Sequence, residues 1–218
     1  SARFFRDCGY RRNVSQHFMK QRTNNLAPFF NYREEFTDNG YESIQDFFLS
    51  WTIRCAAEAY QPENSVLNHY ARKILFALMF GKTEDGEMKI NSSSFESFKV
   101  FSVTTKRQLA LIDLVAEVKY SINGNLKECV LSIENKWYSG IRQFQLEKSF
   151  EFIRQIYNCE IIDIVLFCDY EKISEDVISH CFNNKYKYMT VPDLKDFSEI
   201  AFESPTKNEL FDEYWLNF

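Results

Sequence analysis

Glu134 and Lys136 stand two residues apart at the end of an apolar run, 129-CVLSIENK-136. On a β-strand, side chains alternate between faces, so a carboxylate and an ammonium at this spacing point the same way, with Val130 and Ser132. Upstream, 109-LALIDLVAEVKYS-121 leads into Asn123-Gly124, a pair suited to a two-residue hairpin turn whose central positions both need positive φ. With that turn, each step back along one strand matches a step forward along the other. Lys119 then lies opposite Glu128, a favourable pair, and Asp113 lies opposite Glu134. Two carboxylates facing each other in an apolar sheet repel, and burying them is costly unless positive charge lies between them. Lys136 supplies part of that charge. A divalent metal supplies more, because Mg²⁺ is typically held by one or two carboxylates with waters and phosphate oxygens.

The series Asp113, then 133-IENK-136 on an apolar strand, then 145-QL-146 on a helix resembles the PD-(D/E)xK nuclease superfamily. It is most similar to the bacterial branch in which I-E-N-K is followed at comparable spacing by Q-L. The resemblance spans residues 58 to 168. It implies an α/β restriction-endonuclease-like core, in the order αβββαβ, with a mixed central sheet flanked by helices and an N-terminal helical extension. It also implies a divalent-metal-dependent nuclease acting on DNA or RNA with Mg²⁺ or Mn²⁺. Residue by residue, Asp113 and Glu134 match the metal-binding acids, and the backbone carbonyl of Asn135 completes their inner shell. Lys136 matches the lysine that orients the attacking water, and Gln145 a supporting glutamine. A glutamate from the preceding helices commonly adds a ligand, which Glu63 or Glu58 could supply. The chain departs from the pattern at Ser149, where Q-motif branches often have Tyr, and at Ile112, where Pro often precedes the aspartate.

The elements that must position these residues are legible from periodicity. Apolar residues recur at helical spacing over 41–60, ended by Gln61-Pro62. A second helix is expected after a cap at Asn64 or Ser65, with Leu67, Tyr70, Ile74 and Leu78 as its stripe and Gly81 at its C-terminus. The segment 82–94 reads as a polar loop. Strands follow at 98–105, 109–121 and 127–137, then a helix carrying Leu146, Phe150, Ile153 and Tyr157. A buried strand is expected at 161–168, a helix over 175–182, a short strand near 186–191 and an amphipathic C-terminus. The expected organisation is a basic arm over 1–40 and one nuclease-like domain over 41–218.

Composition bounds the class. The 218 residues are 45% hydrophobic and 26% charged, long enough to bury a full core and ordinary for a globular domain. The six cysteines form no CxxC pair, and none clusters with the three histidines, so neither a zinc site nor a disulfide framework is indicated. This pattern suits a reducing, cytoplasmic compartment. No apolar run reaches the roughly 20 residues of a membrane span. The net charge is −5, yet residues 1–22 carry Arg3, Arg6, Arg11, Arg12, Lys20 and Arg22 against Asp7 alone. Of these, Arg11, Arg12, Lys20 and Arg22 are the candidate nucleic-acid contacts, because clustered cations bind phosphate backbones; a solvated arm accounts for the same charges.

Other readings fit the same residues. Glu134 and Lys136 could form an exposed ion pair at a strand end, worth under about 1 kcal/mol. The domain could bind nucleic acid or protein without cleaving. Trp137 and Tyr138 could stack on bases or pack in the core, and Asp163 belongs to no motif. E-x-K by itself says little; the apolar strand, the facing Asp and the following Gln together carry the reading.

Overall fold

A computed structural model describes residues 41–136, 140–142, 144–169, 173–200 and 204–217. The basic arm with Arg11, Arg12, Lys20 and Arg22, and the aromatic pair Trp137 and Tyr138, lie outside the described residues. The protein is α/β, with a mixed five-stranded sheet flanked by helices.

The chain begins with two helices, α1 (Tyr41–Arg54) and α2 (Ser65–Phe80), joined through a 3₁₀ turn at Glu58–Tyr60. Asn64 caps α2 by accepting from the Leu67 N–H, which satisfies one of the free donors at the helix start. The expected stripe of Leu67, Tyr70, Ile74 and Leu78 is buried throughout. Gly81 ends α2, but not by adopting a left-handed conformation, since its φ is −76°. Close approach requires glycine here: a Cβ would sit 2.6 Å from the Ala77 carbonyl oxygen. Gly81→Ala is therefore expected to destabilise the protein by about 1–3 kcal/mol, measured by urea denaturation.

The segment 82–94, expected to be a loop, instead forms a small hairpin, β1 (Lys82–Glu84) and β2 (Glu87–Lys89). Its turn is Asp85-Gly86, with φ of 54° and 77°. This is the same turn chemistry as Asn123-Gly124, hidden in the sequence by polar flanks that resemble a loop.

Three long strands follow, β3 (Lys99–Leu109), β4 (Ile112–Ile122) and β5 (Asn125–Lys136), and each pairs antiparallel with the next. Then come α3 (Gln145–Ile156), β6 (Glu160–Phe167), α4 (Glu175–Asn183), β7 (Lys187–Thr190), α5 (Val191–Ser198) and α6 (Glu209–Asn217). β6 joins β5 in parallel and β7 joins β6 in parallel, giving the order β3-β4-β5-β6-β7.

The pleat sorts the core. Leu114, Ala116, Val118, Leu131, Ile133, Ile164 and Leu166 face one side, under α1, α2, α5 and α6. Val115 and Val130 face the other with Ile153 of α3, and Val165 packs there with Leu146 of α3 and Cys181 of α4. α1 is seated by its own aromatic contacts: Phe48 stacks on Tyr214 of α6 at 4.2 Å, and Trp215 Nε1 donates to Thr52 Oγ1 at 3.0 Å. No helix among the described residues is long and apolar enough to cross a membrane.

Candidate active site

The Asn123-Gly124 turn closes the β4–β5 hairpin with φ of 51° and 77°, the positive values that favour this residue pair. Register then follows as expected: Ile122 faces Asn125, Lys119 faces Glu128 and Leu114 faces Ile133. One more step brings Asp113 to Glu134. Their carboxyl groups lie close enough to hydrogen-bond, and Asp113 Oδ2 also accepts from the Asn135 N–H at 2.9 Å.

Glu134 and Lys136 are not the exposed pair of the alternative reading. They are 3% and 5% exposed, and Lys136 Nζ donates to Glu134 Oε1 at 2.6 Å. Gln145, at the first turn of α3, donates to the same Glu134 oxygen through Nε2. Its Oε1 accepts from Lys136 Nζ at 3.5 Å and from the Arg142 N–H at 3.3 Å. The sheet end thus brings together Asp113, Glu134, Asn135, Lys136 and Gln145.

Electrostatics at this end are strained by like charge. Burial, then the neighbouring Asp113 charge, push the Glu134 carboxyl up to about 8, and Lys136 only partly opposes them. Burial and like charge thus favour the neutral carboxyl, and added positive charge would favour the carboxylate.

Three residues that sequence reasoning missed join the cluster by their side chains, two from α1 over the opposite face of β5 and one from β3. The Asn135 side chain points toward α1, where Gln45 Nε2 donates to its Oδ1 at 3.1 Å and its own Nδ2 donates to Asp46 Oδ1. Gln108 of β3, which faces Asp113 of β4 between the pairs Arg107–Leu114 and Leu109–Ile112, donates to Asp46 Oδ2 at 3.1 Å and to Asp113 Oδ1 at 3.3 Å. It does so from a left-handed backbone, φ 54°, which a non-glycine residue rarely adopts without tertiary support. Burial, joined by the Asp113 charge, raises the Asp46 carboxyl to about 6.

One sequence signal pointed to Asp46. It falls three and seven residues before Leu49 and Ile53 on the buried stripe of α1, where a charged residue is out of place unless paired. By contrast, Glu63 and Glu58, expected as the helix-borne ligand, are exposed on the link between α1 and α2. No hydrogen bond or ion pair joins either to the cluster, because α1, and not the link after it, packs over the sheet end. Ser149, where the Q-motif tyrosine was expected, is buried on α3. Asp163 pairs with Arg154 at 2.6 Å and takes no part in this site.

Among the described residues no three or more His, Cys, Asp or Glu are arranged as a ready-made metal site. Asp46 reaches the cluster through Asn135 and Gln108, leaving Asp113 and Glu134 as the facing pair. Compared with known proteins, the chain matches no family model, and no curated protein or solved structure matches it.

Proposed function

We propose that the protein is a divalent-metal-dependent phosphodiester hydrolase with a restriction-endonuclease-like core, acting on DNA or RNA. One observation carries this reading: a buried Glu134, pushed toward its protonated form beside Asp113, is bonded by both Lys136 and Gln145 at a sheet end. Two facing carboxylates that repel each other are a donor set for a hard dication. Asp113, Glu134 and the Asn135 carbonyl would hold Mg²⁺ or Mn²⁺. When bound, such an ion supplies Lewis-acid polarisation of the phosphate and lowers the pKa of water. The order of helices, three antiparallel strands, helix and parallel strand supports the same core.

In this reading Lys136 has two roles. It offsets Glu134 before substrate arrives, and it offsets phosphate charge and orients the attacking water as the reaction proceeds. Gln145 keeps both partners in place. Asp46 and Gln108 orient Asn135 and Asp113 from behind, so Asp46→Asn is expected to weaken Mn²⁺ binding about tenfold by calorimetry. Glu63→Gln and Glu58→Gln should leave it unchanged.

The test is cleavage of single- and double-stranded DNA and RNA in Mg²⁺ or Mn²⁺, beside Lys136→Ala. Activity that the substitution removes supports the reading. Activity it leaves intact, or no cleavage of any substrate with either metal, overturns it.

A second reading, a nuclease-like module that binds without cleaving, is favoured by the full occupation of Glu134 Oε1 by Lys136 and Gln145. Calorimetry separates the two: a Mn²⁺ site present in the wild type and lost in Asp113→Ala belongs to the hydrolase.

A further inference from the structure

A groove of about 560 Å³ runs along the seam between α1 and the edge strand β3. Its walls follow from periodicity. Phe47, Ser50 and Arg54 fall three and four residues apart on one face of α1, and Thr105 and Arg107 are alternate residues on one row of β3. On the α1 face of the sheet the groove adjoins the Asp46–Gln108 side of the cluster: Phe47 follows Asp46, and Arg107 precedes Gln108, which bonds Asp46 and Asp113.

Its charge opposes that of the cluster. Among the described residues, neither Arg54 nor Arg107 forms an ion pair, although the chain as a whole is acidic. Arg107 instead lays its guanidinium over the exposed Phe47 ring, 3.2 Å from the centroid. Arg54 is steered by donating Nε to the Ser50 carbonyl at 3.2 Å, which leaves its terminal nitrogens available. A stacked guanidinium loses little further freedom on binding and presents a planar fork matched to phosphate oxygens. Ser50 and Thr105 share a hydrogen bond across the floor at 2.9 Å, so the floor is polar and not a site for an apolar ligand.

We infer that this groove holds the sugar–phosphate backbone of a nucleic-acid strand, Arg54 and Arg107 each taking a phosphate, and feeds that strand to the Asp113–Glu134 site. This rests on the nucleic-acid reading of the site but not on cleavage. Backbone phosphates are common to single strands and duplexes, so both enter the test.

Binding of labelled DNA and RNA oligonucleotides, single-stranded and duplex, is measured by fluorescence anisotropy in EDTA, with the full chain. Arg54→Gln with Arg107→Gln is expected to weaken binding about tenfold or more at low salt. The slope of log affinity against log salt should become shallower by about 2 on duplex and about 1.4 on single strands. Both arginines are exposed, so the fold should tolerate the change. Lys82→Gln with Lys89→Gln removes the same charge at the β1–β2 hairpin, which contacts β7 at the far edge of the sheet from β3, and should leave the slope unchanged.

An unchanged slope in the arginine variant, an equal loss in the lysine variant, or no wild-type binding to any probe overturns the groove. The outcomes separate it from the hydrolase. A wild type that does not cleave but loses binding with the arginines keeps the groove and ends the hydrolase. A wild type that cleaves, beside an arginine variant that binds as well, does the reverse.

Discussion

Asp113→Asn is expected to abolish cleavage while making the metal-free protein more stable. The two effects share one cause. Asp113 is the charge that, after burial, drives up both the Glu134 and Asp46 carboxyls. Asparagine keeps an acceptor for the Asn135 N–H but removes the repulsion. The gain in stability should be about 1 kcal/mol, which for a domain of this size raises Tm by about 2–4 °C. In the proposed hydrolase, losing a carboxylate that would hold the metal should lower the cleavage rate about 10³-fold, equivalent to about 4 kcal/mol of transition-state stabilisation.

The sign of the pH dependence follows from the direction of the shifts. Glu134 is raised in the folded protein from 4.5 to about 8, so the stability it contributes is present below pH 4.5 and is lost as pH rises through about 8. Asp46, raised from 3.8 to about 6, adds a similar loss at lower pH. The Tm advantage of Asp113→Asn should therefore widen between about pH 5 and 8. A variant that is less stable than wild type across that range would mean that the carboxylates are not in conflict, and the proposed metal site would lose its physical basis.

Lys136→Met is expected to remove cleavage and to destabilise the protein in a pH-dependent way. Lys136 and Glu134 form a buried ion pair, and deleting one member leaves the other charge without its partner. At pH 5 Glu134 is protonated in either protein, so the cost should be small. Near pH 9 the wild type holds both charges as a pair, whereas the variant must keep a carboxyl protonated or bury a bare carboxylate next to Asp113. The cost there should approach about 3–5 kcal/mol, read by urea denaturation at the two pH values.

Adding Glu134→Gln to Lys136→Met should recover much of that stability at pH 9 without restoring cleavage. Their coupling in a double-mutant cycle is expected at about 1–3 kcal/mol. Equal stability of Lys136→Met and wild type at pH 9 would show that the pair does not hold the site together.

Much of the site was legible because its central contacts are set by short-range rules. An Asn-Gly turn needs only its own two residues to choose positive φ, and strand pairing then propagates residue by residue to Asp113 and Glu134. The pleat alone puts Glu134 and Lys136 on one face. Gln145 came from the family resemblance, and the helical periodicity that resumes at Leu146 agrees with its place at the start of a helix. The Asp85-Gly86 hairpin was missed although it obeys the same turn rule, because its strands are short and polar and gave no alternation to read.

Local pattern by itself determined the β4–β5 register, the shared face of Glu134 and Lys136, and the helix stripes that cover the sheet. Only the tertiary structure decided which upstream acid reaches the site. Glu63 and Glu58 were plausible by sequence position, but Asp46 arrives instead, with Gln45 and Gln108. Its place depends on Phe48 and Thr52 seating α1 against Tyr214 and Trp215, residues more than 160 positions further along the chain. The raised carboxyls are decided at the same level. Desolvation is a property of what packs over a group, and no spacing along one strand records it.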